Sequence, residues 1–238
     1  MTSIEHDSDA GPADLLAGSC GWANTFERVT VTYAVVGLTN FGEHPVPSTR
    51  LAEVLGRPVS EAEALARQWG WPGTRAGDGF ITVNPERAKP AARRHVGIGD
   101  RRFGVTGCAF DIFYYAPLVR PSLHVEEACR ATGTPIHLVF TPSGVERADP
   151  AGAVVPVPPW QGVPAQTFAQ TFEAASDVEE VDANLCPECG PLYSSAEAAH
   201  GWLDTHPGSR IRPISQVWDL SAYRHYRDRM SALLDLKD

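Results

Sequence analysis

The 238-residue chain has no hydrophobic run approaching the roughly 18 to 20 apolar residues that a membrane helix requires. Its first ten residues, Met1 to Ala10, are acidic and lack a basic stretch followed by an apolar one, so no secretory signal is expected. The expectation is a cytoplasmic protein without a membrane partner. Basic charge is in deficit: 20 Lys+Arg stand against 29 Asp+Glu, a net charge of −9. That balance disfavours an extended phosphate-binding surface, and with it a nucleic-acid partner. Cysteine is sparse and odd in number, at Cys20, Cys108, Cys129, Cys186 and Cys189. Five thiols in so long a chain exclude a small disulfide scaffold. In a reducing compartment they are free to act as nucleophiles, metal ligands or small core residues. Internal repeats and nucleotide-binding fingerprints are also missing, so no organic cofactor is expected. What is present is ordinary globular composition, 43% hydrophobic and 21% charged, enough to bury a sizeable core.

The first 25 residues, rich in Asp, Gly, Ala and Ser, read as a mobile tail. In Phe26 to Val36 two periodicities compete. Val29, Val31, Tyr33 and Val35 alternate like a strand, whereas Phe26, Val29, Tyr33 and Val36 fit one helix face. Ser48 opens a short helix that Gly56 should end. Ser60 and Glu63 then form a capping-box pattern before an apolar stripe of Ala62, Leu65, Ala66 and Trp69, closed by Gly70. Gly77 to Asn84 reads as a turn and a short strand. Two helices followed by a β element outline a winged helix-turn-helix. The second helix carries Glu61, Glu63 and Arg67 and no basic-aromatic face, which favours a packing module over DNA binding. Arg87, Lys89, Arg93, Arg94, Arg101 and Arg102 form a basic run, expected as solvated surface.

Beyond residue 103 strands dominate. Ile136, Leu138 and Phe140 alternate, and Ala153 to Pro158 is an extended run broken by prolines. Helix returns at Ser195 to Leu203, and Leu220, Tyr223, Tyr226, Met230 and Leu233 mark a carboxy-terminal one. The fold class is α+β: a winged-helix-like module over 26–95, then a mixed or antiparallel β-sheet catalytic core with flanking helices over 96–238.

Cys108-Ala-Phe-Asp111 places a thiol and a carboxylate on one side of a helical turn, where the carboxylate could take the thiol proton and return it elsewhere. A core cysteine beside a capping aspartate explains the same spacing. Cys186-Pro-Glu-Cys189 can put two sulfurs on one ion, although a tetrahedral zinc site needs a second pair. A redox pair or half of a metal knuckle remains equally open there. Cys129, by itself, reads as a buried structural thiol.

The stretch from Asp100 to Pro117, containing Arg101-Arg102 and Cys108-Ala-Phe-Asp111, resembles the active-site segment of the organomercurial (alkylmercury) lyases. The resemblance continues through Cys129-Arg-Ala-Thr-Gly-Thr-Pro135, Thr141-Pro-Ser143 and Asp149-Pro150, and again at Ser195 to Trp202; it covers roughly 45 to 235 in unbroken order. It implies protonolysis of a carbon–mercury bond, with Cys108 and Cys186 as mercury-binding thiols and Asp111 as the proton-transferring carboxylate. Hg(II) is then a bound product and not a cofactor. Mercuric reductase or low-molecular-weight thiols are the implied acceptors of the ion. Gly107 stands where the family has an aromatic, and the run after Cys186 is Pro-Glu-Cys-Gly-Pro, so Cys189 competes for the place of second thiol. The segment from Trp160 to Glu180 looks like an insertion. Two other functions fit the same residues: a lyase-family scaffold turned to a small molecule without mercury, and a non-catalytic thiol metal-binding protein.

Overall fold

The structure is a computed structural model that describes residues 26–71, 73–85, 94–105, 109, 112–157, 191–207, 209–218 and 221–235. Helix α1 spans Phe26–Thr39, settling the ambiguous segment as helix. From Thr30 to Gly37 every residue is buried. A helix wrapped on all sides has no single apolar stripe, which is why its sequence also reads as a strand. Two of its threonines bond carbonyls: Thr32 Oγ1 donates across to that of Trp69 at 2.6 Å, and Thr39 Oγ1 back along the helix to that of Val35 at 2.7 Å.

Strand β1 (Val46–Pro47) leads into α2 (Ser48–Leu55) and α3 (Val59–Trp69). Gly56 ends α2 in the left-handed conformation at φ 62°, as its sequence position implies. The expected Ser60–Glu63 capping box does not form. Helix α3 begins behind Pro58 with no side-chain cap, and Glu63 Oε1 instead accepts from Ser48 Oγ at 2.6 Å. Packing α2 against α3 offers Glu63 a fully buried hydroxyl, whereas Ser60 is exposed. Strands β2 (Thr74–Gly77) and β3 (Phe80–Val83) form a hairpin, and β1 pairs with the other edge of β3. Asp78 and Gly79, at φ 53° and 81°, make the two-residue turn that an Asp-Gly pair favours.

The central sheet contains β4 (Arg94–Ile98), β5 (Arg101–Val105), β6 (Leu123–Ala128), β7 (Pro135–Thr141) and β8 (Gly144–Asp149), in the order β5-β4-β6-β7-β8. Every pairing is antiparallel, so of the mixed or antiparallel sheet expected, the antiparallel form is found. One face is apolar, built from Val96, Ile98, Phe103, Val105, Val125, Ile136, Leu138 and Phe140. Arg102, His95, Glu126 and His137 belong to the other, wetter face, as alternation requires of a half-covered sheet. Against the apolar face lies α4 (Ile112–Tyr115), all four of its residues buried. A second ladder joins β9 (Val154–Val157) to β10 (Arg210–Pro213). The chain ends in α5 (His200–Thr205), α6 (Ile214–Trp218) and α7 (Ser221–Leu234). The helix expected from Ser195 starts only at His200; Ser195 Oγ accepts from the Ala198 N–H in the turn before it.

One hydrophobic core runs from α1, α2 and α3 into the sheet. At its centre Phe41 is fully buried, with ring centroids 5.1 Å from Trp71, 5.3 Å from Phe103 and 5.2 Å from Tyr115. Phe41 and the preceding Asn40 both hold positive φ, 55° and 46°, a costly backbone for side-chain-bearing residues. Two bonds hold that turn to a distant segment: Asn40 Nδ2 donates to the Arg120 carbonyl at 2.8 Å, and the Arg120 N–H donates to Asn40 Oδ1 at 2.9 Å. Phe41→Ala should destabilise the protein by about 3–5 kcal/mol. The midpoint of urea unfolding measures that, and an unchanged midpoint would show the ring to be dispensable.

Candidate active site

Strand β5 delivers the chain toward the Cys-x-x-Asp motif. Val105, its last residue, is buried opposite Arg94, and the sequence then runs through 106 and 107 to Cys108. Cys108 and Asp111 themselves lie outside the described residues, as do Cys186, Cys189 and Cys20. Their neighbours are anchored. Ala109 and Ile112 are fully buried, and Tyr115 at the end of α4 packs edge-on against Phe41 and Trp71, at 5.2 and 5.6 Å. The stretch carrying thiol and carboxylate is therefore tied at both ends to the hydrophobic core.

The second thiol-bearing stretch rejoins the described structure at Pro191. Leu192 is fully buried, and Tyr193 makes both bonds of an antiparallel bridge to Val154, at 2.9 and 3.0 Å. Burial pushes the Tyr193 phenol up; the Arg130 charge opposes this, and the Cys129 and Glu127 charges add to it. Those groups share one neighbourhood.

Cys129 is buried, as the sequence led one to expect, and sits at the mouth of the β6–β7 connection. Its N–H donates to the Thr134 carbonyl at 2.8 Å and its carbonyl accepts from the Gly133 N–H at 2.7 Å. Burial pushes its thiol up, but hydrogen bonds from the side chains and backbones of Ser194 and Thr132 outweigh that and bring it down to about 7. An inert core thiol would show the opposite shift. The unfolded thiol, near the usual 9.0, keeps its proton longer than the folded one. Stability should therefore rise with pH between about 7 and 9 and be lost as pH falls back through about 7. Reduced protein unfolded by urea at both ends of that window should show a gain on the order of 1–2 kcal/mol. Cys129→Ala should abolish it; an identical gain in that variant would rule out Cys129 as its source.

The basic run is not uniformly solvated surface. Arg94 is buried in an ion pair with Glu127, Nε to Oε2 at 2.7 Å, with side chains only 6% and 4% exposed. Arg101 reaches the Phe41 carbonyl at 3.2 Å, and Arg102 holds exposed Glu126 at 2.8 Å, keeping that carboxyl below its usual range. Arg87, Lys89 and Arg93 lie outside the described residues. Arg94–Glu127 was not foreseeable from spacing, because the partners come from strands 33 positions apart whose register the sequence does not state. Among the described residues no group of three His, Cys, Asp or Glu side chains stands close enough to hold a metal ion.

The chain is similar to known proteins. The model of the family described as "MerB: Alkylmercury lyase" matches residues 91–224. An alkylmercury lyase of Pseudomonas putida is 28% identical over 181 residues, 70% of this chain and 76% of that protein. One from Streptomyces lividans is 26% identical over 178 residues, 74% of this chain and 73% of that protein. A crystal structure described as the mercury-bound form of MerB2 is 16% identical, with a TM-score of 0.47 over 92% of this chain and 95% of that one.

Proposed function

The chain belongs to the alkylmercury lyase family, and from that premise we propose that its own residues break the carbon–mercury bond of an organomercurial by protonolysis. The protein is a carbon–mercury lyase. The observation that carries the reading is the matched segment 91–224, which contains Cys108, Asp111, Cys129, Cys186 and Cys189 in order.

Mercury is a soft ion, and thiolates are the side chains that bind it preferentially. Cys108 takes the organomercurial as a thiolate. Asp111 removes the proton of the second thiol, Cys186, which forms a second sulfur–mercury bond and pushes electron density toward the metal. The carbon leaves with the electron pair of its mercury bond and receives the proton held by Asp111. A hydrocarbon departs, Hg(II) stays on two sulfurs, and the carboxylate is restored. This scheme uses no organic cofactor. Cys189, three positions after Cys186, competes with it for the place of second thiol, and a mercuric reductase or low-molecular-weight thiols are the proposed acceptors of the ion.

Residues 26–95 read as a winged-helix-like module and 96–238 as the catalytic core. The support is the chain order α1-β1-α2-α3-β2-β3, with β1, β3 and β2 forming one three-stranded antiparallel sheet. That module packs the core where Phe41 meets Phe103 and Tyr115 and Trp71 meets Tyr115, and α3 exposes acidic Glu61 as well as basic Arg67, which suits packing and not a nucleic-acid groove. Among the described residues no helix is long and apolar enough to cross a membrane; a cytoplasmic location goes with the reading. The deciding experiment is benzene release from phenylmercury with all thiols reduced. One benzene and one thiolate-bound Hg(II) per turnover are expected, and no benzene would hand the scaffold to a substrate without mercury.

A further inference from the structure

Arg94 and Glu127 are a charged pair on the apolar face of the central sheet, among Val96, Val105 and Val125. Stability alone does not call for them, since an apolar pair of similar volume in such a place is often as stable or more so. Their position gives the better reason. Backbone pairing between β4 and β6 ends at His95↔Glu126. One residue farther along, Arg94 is still paired with Val105 on β5, and Glu127 with Ile136 on β7. The ion pair therefore supplies the rung that the β4–β6 ladder lacks.

Each side of that rung leads to a thiol-bearing stretch. Val105 is the root of the segment that carries Cys108 and Asp111. Glu127 precedes Cys129, whose thiol is bonded by Ser194, and Thr132 Oγ1 lies 3.3 Å from Ser194 Oγ. Ser194 follows directly on the bridge residue Tyr193, at the root of the stretch carrying Cys186 and Cys189. Between β5 and the Tyr193–Ser194 root, the path runs through the β5–β4 and β4–β6 ladders as far as His95↔Glu126 and through the hydrogen bonds at Cys129; at the rung between those two, the tie is the Arg94–Glu127 ion pair.

We infer that Arg94 and Glu127 are positioning residues for the carbon–mercury cleavage, clamping together the roots of the two thiol-bearing stretches. The inference rests on the proposed activity. Two sulfurs must meet one ion while an acid stands beside the carbon, and a displacement of about 1 Å in such a site costs on the order of a hundredfold in rate. The role is one of positioning: the pair stands one residue beyond the last β4–β6 backbone pair and next to both roots.

The test compares wild type with Arg94→Met/Glu127→Met, which fills the same buried space without charge. The double variant should unfold at a urea midpoint close to that of wild type. Its kcat for benzene release from phenylmercury should fall on the order of tenfold to a hundredfold with KM little changed. The mercury–thiolate charge-transfer absorbance of one equivalent of Hg(II) should weaken, because the second sulfur is no longer held in place. Arg94→Lys, which keeps a cation opposite Glu127, should recover part of the lost kcat. If the double variant does not fold, Glu127→Gln, which keeps the shape and an acceptor for Nε, answers the same question through the same kcat and absorbance. A folded variant with wild-type kcat, KM and absorbance overturns the positioning role, and so does a rise in KM alone. A wild type that releases no benzene sinks the lyase reading itself, which separates the two failures.

Discussion

Asp111→Asn should lower the turnover of phenylmercury by roughly 10²–10⁴-fold while one equivalent of Hg(II) still binds. An amide has nearly the shape of a carboxyl group and can still accept a hydrogen bond, so the fold around buried Ala109 and Ile112 should hold. What it cannot do is take a proton from a thiol and deliver it to carbon. Departing carbon then has no acid beside it, and the carbon–mercury bond persists although both sulfurs remain. The split between preserved Hg(II) stoichiometry, read from thiolate–mercury absorbance, and lost benzene release is the signature. Near-normal release from Asp111→Asn would transfer the proton to another donor and remove Asp111 from the mechanism.

Cys108→Ser and Cys186→Ser should each remove turnover entirely, whereas Cys189→Ser should retain it. A hydroxyl is a hard donor that stays protonated at neutral pH, so it neither captures a soft ion nor donates enough charge to expel a carbanion. Cys108→Ser should lose substrate binding as well as cleavage. Cys186→Ser should still hold the organomercurial through Cys108 and stall there, giving a mass increase equal to the substrate's organomercury group and no hydrocarbon. Release of hydrocarbon by Cys186→Ser together with silence of Cys189→Ser would exchange the roles of the two sulfurs, while leaving the two-thiolate chemistry in place.

How much of this could be read from residue order differs from element to element. Gly56 and the Asp78-Gly79 turn were legible because a left-handed backbone favours glycine at a helix end and an Asp-Gly pair in a two-residue hairpin turn. The strand through Ile136, Leu138 and Phe140 was legible because one wet face and one dry face impose strict alternation. Helix α1 was not, since burial on every side erases the stripe that distinguishes a helix from a strand. Glu63 went to Ser48 and not to Ser60, because a buried hydroxyl fifteen positions away competed with an exposed one nearby.

Residue order by itself supplies the set of groups the proposed chemistry draws on: Cys108, Asp111, Cys186 and Cys189 lie inside the segment that matches the alkylmercury lyase family, and their order along the chain is a covalent fact independent of how it folds. Tertiary structure alone decided the electrostatic setting around them. It buried Arg94 against Glu127, and it bent Ser194 and Thr132 around Cys129 to draw a structural thiol toward its charged form. Burial, register and the meeting of distant hydrogen-bond partners arise only when the strands align, so a list of residues cannot carry them.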